Sequence, residues 1–417
     1  MHTFFSRVRV HQPGWLPQTG AVLIVSNHHS SLVDPVALLA TMPRLPRFLA
    51  KAALWDAKYV LLRPLLRLAR AIPVHRHVDG GGDNTSMFAA SHEVLENGDV
   101  IALFAEGVSH NMPGLLDLKT GAARIALGAD VAVAVVPVGL IYDDRARFRS
   151  RAMIYIGAPL AVRGLPGGDD DRERVRELTA LIAQGLDAVA PTWENWEAHN
   201  GAVTAARLTA ADAPGITMGQ ALTAINRAVS DDSLEGRQVL EAVAELEAES
   251  ARLGLDIEAV VERPSNQMRR LNPITMLLTA ALFFPTALGR LVNLPPHELI
   301  RVLAGTQDLN FQATSKILLA IVLYPAWWVL LAGVTGVVLH PVVGIVVLVA
   351  VPLLGYIAAR GYGRLRRFRN REIVRGATAD HEHGEWQLIA LRHAVLNATE
   401  RVLAMGQGAD EGTGLRG

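Results

Sequence analysis

The chain has no cysteine among its 417 residues, which removes disulfide frameworks, thiolate metal sites, iron–sulfur clusters and thiol nucleophiles together. The absence leaves the compartment open, because a chain without thiols is equally at home on either side of a membrane. An excess of one charge is missing too: 40 Lys plus Arg balance 40 Asp plus Glu, so nothing in the composition proposes a nucleic-acid partner. Charge of any sign is scarce, 19% of residues beside 50% hydrophobic ones, with a mean hydropathy of +0.25. That average is too apolar for an evenly soluble surface and directs attention to segregation along the chain. Also lacking are a P-loop, a dinucleotide-binding GxGxxG and the GxSxG elbow of serine hydrolases, which Gly107-Val108-Ser109-His110-Asn111 fails at its last position. No His/Asp/Glu spacing suggests a metal site, so none is expected.

What is present divides sharply. From Ile317 to Ala359 there is no Asp, Glu, Lys or Arg, and His340-Pro341 splits the run into Ile317–Leu339 and Val342–Ala359. At about 1.5 Å per helical residue the first stretch spans a hydrocarbon core of about 30 Å and the second nearly does, so the expectation is a transmembrane helical hairpin over 317–359. The alternative is a hairpin buried in a large soluble core. Tyr324, Trp327, Trp328 and Tyr356 are aromatic residues of the interfacial kind, although Trp327 and Trp328 fall in mid-span. Pro273–Leu288, interrupted by Pro285, is short for a spanning helix and reads as interfacial or re-entrant. Arg360, Arg364, Arg366, Arg367, Arg369, Arg371 and Arg375 follow the hairpin and Lys316 precedes it, which puts both ends on the cytoplasmic side, near anionic headgroups. Residues 1–20 hold no apolar h-region, so no cleaved signal peptide is expected and the N-terminal part stays inside.

Ahead of the apolar region, residues 1–165 alternate short β-branched runs (Val8–Val10, Ala21–Ser26, Val100–Phe104, Val131–Pro137, Ala152–Ile156) with helical patterns (Pro35–Thr41, Leu54–Arg70, Thr85–Glu96, Lys119–Leu127). This alternation is the signature of an α/β layer architecture. Residues 166–265 are Ala-, Glu- and Arg-rich and suit amphipathic helices such as Leu234–Leu253; 266–375 form the membrane-associated region, and 376–417 a helix with a polar, Gly-rich tail from Gly406 that reads as disordered.

Chemistry-bearing residues gather at the ends of the strands. Ser26-Asn27-His28-His29-Ser30-Ser31-Leu32-Val33-Asp34-Pro35 follows an apolar strand and opens a helix, which brings imidazole and carboxylate close without any long-range argument. In such a pair the Asp fixes the tautomer and the second ring nitrogen accepts a proton from a hydroxyl. The plainer alternative is a Ser/Asp-rich helix start with two solvated histidines. Phe104-Ala105-Glu106-Gly107 ends the next strand and offers a carboxylate and an exposed amide, or a simple turn. Lys119-Thr120-Gly121-Ala122-Ala123-Arg124 begins a helix with cations that suit a phosphate, or a solvated basic helix start. Arg76 closes Ala71-Ile72-Pro73-Val74-His75-Arg76, a short extended segment, and alone reads equally as a surface arginine.

Taken in order, these blocks resemble the PlsC-like glycerolipid acyltransferases: Asn27–Pro35 the His-Asp block, Ala71–Arg76 the Gly-x4-Arg block, Phe104–Gly107 the Phe-Pro-Glu-Gly block and Val136–Gly139 the late apolar-Pro block. The continuation through Ser109-His110 and Leu118–Ala126 resembles the branch of fungal-type glycerol-3-phosphate acyltransferases, whose members often carry a C-terminal membrane hairpin. Ala71 stands where the family has Gly, Ala105 where it usually has Pro, and Ser109 where bacterial lysophosphatidate enzymes tend to have Arg. The resemblance implies a mixed sheet flanked by helices in the catalytic domain, then the helical segment and the hairpin. It implies acyl-CoA or acyl-ACP as donor, no cofactor, and a hydroxyl of glycerol 3-phosphate, 1-acyl-glycerol 3-phosphate or a lysophospholipid as acceptor. A membrane-anchored binding protein that keeps the fold without turnover is the rival. His28 or His29 would be the base with Asp34 as its partner, and Arg76, Glu106, Gly107 and Lys119 would hold the acceptor's polar head, with the enzyme integral to the cell membrane and its catalytic domain in the cytoplasm.

Overall fold

The computed structural model describes residues 5, 7–56, 63–75, 84–142, 150–160, 162, 171–213, 215–255, 257–261, 273–379 and 384–413. Two compact units result, the first comprising Met1–Glu194 with Leu309–Thr314 and the second Asn195–Asp308 with Ser315–Gly417.

Among the described residues the first unit is built on seven strands, β1 (Arg7–His11), β2 (Ala21–Ser26), β3 (Arg47–Lys51), β4 (Ile72–Val74), β5 (Val100–Phe104), β6 (Val133–Tyr142) and β7 (Arg151–Ile156), in the order β1-β7-β6-β2-β5-β3-β4. All neighbours pair in parallel except β6 with β7, so the sheet is mixed. Helices α1 (Val33–Thr41), α2 (Arg63–Leu68), α3 (Thr85–Glu96), α4 (Gly121–Gly128) and α5 (Asp171–Val189) complete it. The central strands β2, β5 and β6 are covered on both faces, which is why Val22, Leu23, Ile24, Ile101, Val135 and Val136 form continuous apolar runs with no accessible surface.

β3 was not recognisable as a strand, since Arg47–Lys51 is neither long nor consistently apolar, whereas β4 falls inside the extended segment read over Ala71–Arg76. The helical pattern of Leu54–Arg70 resolves into a 3-10 turn at Ala52–Trp55 and the short α2, with 57–62 outside the described residues. The strand expected over Val131–Pro137 starts at Val133 and continues to Tyr142, so Pro137 sits inside it. The first unit also extends past 165, because α5 lays the stripe Leu178, Ile182, Leu186 and Val189 onto the sheet.

Gly139 of β6 lies where α5 ends, and a Cβ there would fall 2.1 Å from the Val189 carbonyl oxygen. Only hydrogen fits.

In the second unit α6 (Trp196–Asp212), α7 (Met218–Ser230), α8 (Leu234–Arg252) and the short α9 (Ile257–Val261) pack together, each of the long ones started by a side-chain cap. Asn195 accepts from Ala198 N–H, Thr217 and Gln220 form a capping box, and Ser233 accepts from Gly236 N–H. Then come α10 (Pro273–Val292), α11 (Leu294–Gly305), α12 (Leu309–Val338), α13 (Pro341–Ala379) and α14 (Gly384–Thr413). Although far along the chain, α14 joins the bundle of α6, α7 and α8, where buried Arg392 meets Asp212 at 2.8 Å. It continues through Gly406, where composition alone suggested disorder.

Phe311–Val338 and Pro341–Gly361 are long and apolar enough to cross a membrane. Their outward residues, Val337 at 89% and Val338 at 71% exposure among them, lack any protein covering. Small residues let these helices approach: a Cβ on Gly344 would lie 2.6 Å from the Ala332 carbonyl, and one on Gly289 of α10 2.2 Å from that of Leu354. The mid-span tryptophans have partners at the end of α10, Trp327 Nε1 donating to the Val292 carbonyl and Trp328 Nε1 to Asn293 Oδ1, both at 2.9 Å. An indole N–H without a partner is costly in apolar surroundings, and these bonds satisfy both rings.

Gly139→Ala is expected to lower the unfolding free energy by about 1–3 kcal/mol through overpacking against α5. Urea denaturation reads the shift, and an unchanged midpoint would mean that α5 yields without cost.

Candidate active site

β2 and β5 finish side by side, Ser26 opposite Phe104, while β6 pairs with β2 through Val138 and runs on to Tyr142. The loops leaving β2 and β5 therefore emerge together at the carboxyl edge of the sheet, the place where open α/β sheets keep their chemistry. Asn27 ties the first loop to β6 before it turns away: its Nδ2 donates to the Leu140 carbonyl (3.0 Å) and its Oδ1 accepts from Leu140 N–H (2.8 Å).

Asp34 enters from the first turn of α1 and has no accessible surface. Its Oδ2 accepts from Ser30 N–H at 2.7 Å and meets His28 Nδ1 at 2.8 Å, while its Oδ1 accepts from the Tyr142 hydroxyl at 2.6 Å. All three contacts use Asp34 as the acceptor. His28 then carries its proton on Nδ1, which leaves Nε2 as a lone-pair acceptor. The ring stacks on Phe104, centroids 4.0 Å apart and 11° between planes, and retains 15% exposure. Of the two histidines, it is His28 that meets Asp34, and the His29 ring lies edge-on to His110 at 4.8 Å. The tight turn delivering the pair puts Ser31 at φ 28°, in the left-handed region.

The β5 loop carries Glu106, 1% exposed. Its Oε1 accepts from His28 N–H (2.7 Å) and its Oε2 from Leu116 N–H (2.8 Å) and from His110 Nε2. The carboxylate expected to meet an acceptor's hydroxyl is thus held by three donors of the protein itself. Gly107 turns the chain at φ 75°, a conformation that favours glycine, and is exposed. Lys119, also exposed, is tied beside it by its own N–H to the Ala105 carbonyl at 2.8 Å. His28, Asp34, Glu106, Gly107 and Lys119 accordingly share one edge of the first unit, and Arg76 lies outside the described residues. Where the resemblance leads one to expect Gly at 71, the left-handed residue is Arg70 (φ 42°), so Ala71 is accommodated.

Among the described residues no cluster of three His, Asp or Glu side chains suits a metal ion. Burial lowers the pKa of His11, with Arg9 adding to the shift, but that ring stacks on Tyr155 in the β1–β7 pair rather than joining this cluster.

Two partners escaped the sequence reading. Tyr142 lies 108 residues from Asp34, and only its position at the end of an apolar strand marks it. Thr314, in the opening turn of α12 that belongs to the first unit, accepts from Leu32 N–H at 3.1 Å across 282 residues, with no local signal.

Residues 7–141 match the family model described as Acyltransferase. Glycerol-3-phosphate O-acyltransferase 2 of Saccharomyces cerevisiae is 42% identical over 115 residues, 26% of this chain and 16% of that protein. Glycerol-3-phosphate O-acyltransferase 1 of the same yeast is 34% identical over 125 residues, 28% of this chain and 16% of that protein. An uncharacterized acyltransferase of Schizosaccharomyces pombe is 39% identical over 112 residues, 26% and 16% of the two chains. This chain thus spans 16% of the length of each of these curated relatives. A solved structure of the 1-acyl-sn-glycerophosphate (LPA) acyltransferase PlsC from Thermotoga maritima is 19% identical with a TM-score of 0.34, covering 45% of this chain and 74% of that one.

Removing the Tyr142 hydroxyl leaves Asp34 Oδ1 short of a donor, and a hydrogen bond to a charged group contributes about 1.5–3 kcal/mol. Tyr142→Phe should lose that much stability in chemical denaturation with its far-UV spectrum intact; wild-type stability would mean that the phenol does not support Asp34.

Proposed function

We propose that this chain, residues 7–141 of which form an acyltransferase-family domain, transfers a fatty acyl group at a membrane from acyl-CoA or acyl-ACP to a hydroxyl of glycerol 3-phosphate or 1-acyl-glycerol 3-phosphate. The observation that carries the reading is the His28 Nδ1–Asp34 Oδ2 pair at 2.8 Å, inside the segment that matches the acyltransferase family model.

In this reading His28 Nε2 takes the proton of the acceptor hydroxyl as its oxygen attacks the thioester carbonyl. The new C–O bond forms, the C–S bond breaks, and the imidazolium returns its proton to the departing thiolate, with no acyl-enzyme between. Asp34, held by Tyr142 and Ser30, stabilises the imidazolium while it exists and keeps the ring from rotating. Lys119 and Arg76 supply cations for the acceptor's phosphate, and the exposed turn at Gly107 lets it approach the backbone. No cofactor takes part. The two apolar helices serve as an integral anchor, with the arginines from Arg360 onward and the catalytic domain on the cytoplasmic side and His340 on the other.

Membranes containing the chain, incubated with acyl-CoA or acyl-ACP and a panel of acceptors and followed by mass spectrometry, should acylate glycerol 3-phosphate or its 1-acyl derivative. His28→Ala and Asp34→Asn should each cut the rate by about a hundredfold or more. Product formed only with other lysophospholipids would change the acceptor, and inactivity toward every acceptor, or activity surviving both substitutions, would overturn the catalytic reading. Reporters at His340 and Trp386 should label from opposite sides; labelling from one side would contradict the hairpin's span.

A further inference from the structure

The end of β5 and the loop after it hold His28 by one ring face and by its backbone, leaving Nε2 clear. Phe104 lies flat against its ring at 4.0 Å, Glu106 Oε1 accepts from its N–H at 2.7 Å, and its carbonyl accepts from His110 N–H at 3.2 Å. Both peptide groups of the histidine are thereby fixed by one five-residue turn.

His110 also determines how Glu106 is held. Its Nδ1 accepts from Met112 N–H at 3.1 Å, so the ring's proton is on Nε2, which donates to Glu106 Oε2. With the Leu116 N–H at 2.8 Å, the Oε2 side is filled and Oε1 is left to face the His28 amide. Glu106 has 1% exposure and the His110 side chain 9%, so water competes poorly for these bonds. A hydroxyl acceptor would find only the second lone pair of Oε1 free, on a carboxylate with 1% exposure.

Resting on the proposed transfer reaction, we infer that Glu106 and His110 are a positioning pair. They set the height and tilt of the His28 imidazole through its backbone and do not bind the acceptor. The Glu-Gly-x-x-His spacing then has a mechanical meaning. Glu106 reaches inward from the strand end, Gly107 turns the chain at φ 75°, and His110 returns four residues later to lock the carboxylate from its other oxygen.

The two roles separate in kinetics, because a lost acceptor contact raises the acceptor's KM whereas a displaced base lowers kcat. The test compares Glu106→Gln, His110→Ala and His110→Gln, the glutamine amide standing where the imidazole Nε2 does. Expected are a fall in kcat of about tenfold or more for Glu106→Gln and His110→Ala, acceptor KM within about twofold of wild type, and recovery of most of kcat in His110→Gln. A raised KM with kcat retained, or a glutamine variant as impaired as the alanine one, would overturn the pairing. Hydrogen–deuterium exchange of the peptide around His28 gives a reading that needs no turnover: faster exchange there in His110→Ala and wild-type protection in His110→Gln support the clamp. Unaltered exchange in His110→Ala would refute it, even if the acceptor remained unidentified.

Discussion

The first unit depends on one buried carboxylate. Asp34 has no contact with solvent, and an isolated charge in that position would cost several kcal/mol. It is tolerated because three donors converge on it from different parts of the chain: the Ser30 amide from its own turn, the Tyr142 hydroxyl from the end of β6, and the His28 ring. That convergence explains why β2 and β6 must be neighbours in register, and why Asn27 is bonded to Leu140 through both atoms of its amide. It also explains why the turn accepts Ser31 at positive φ. Local strain persists where surrounding contacts over-determine it.

A second constraint acts on the other half of the molecule. Two helices with almost no charge must satisfy every polar group internally if lipid surrounds them. Indole N–H groups turned onto Val292 and Asn293 meet part of that demand, and glycines at the close approaches let the helices pack. Arg360, at the cytoplasmic end in the proposed topology, lies over the Tyr356 ring at 4.7 Å, an arrangement suited to the interface where aromatic bodies and cationic tips meet polar headgroups.

Much of this was legible in the linear sequence because the signals are local. β2 and β5 were readable from unbroken apolar runs, the hairpin from its length and lack of charge, and the His28–Asp34 pairing from a strand end followed by a helix start. The choice between His28 and His29 was not legible: adjacent residues differ only in the direction of the side chain, and that direction is imposed by Asp34 and by the Phe104 face. Glu106 was legible as a functional position while its three backbone and side-chain donors were not, since they come from residues 28, 110 and 116 and meet only after the strands align. Tyr142 and Thr314 could not have been found at all without the fold, because their partners lie 108 and 282 residues away.

The central claim, that Asp34 holds His28 as the Nδ1–H tautomer with Nε2 open, is tested most directly by ¹⁵N spectroscopy of the histidine-labelled protein near neutral pH. The account predicts that His28, assigned by its loss in His28→Ala, shows a protonated Nδ1 and a bare Nε2. It also predicts that Asp34→Asn shifts that signal and leaves His29 nearly unmoved. An Nε2–H tautomer at His28, or a response to Asp34→Asn at His29 in its place, would contradict it.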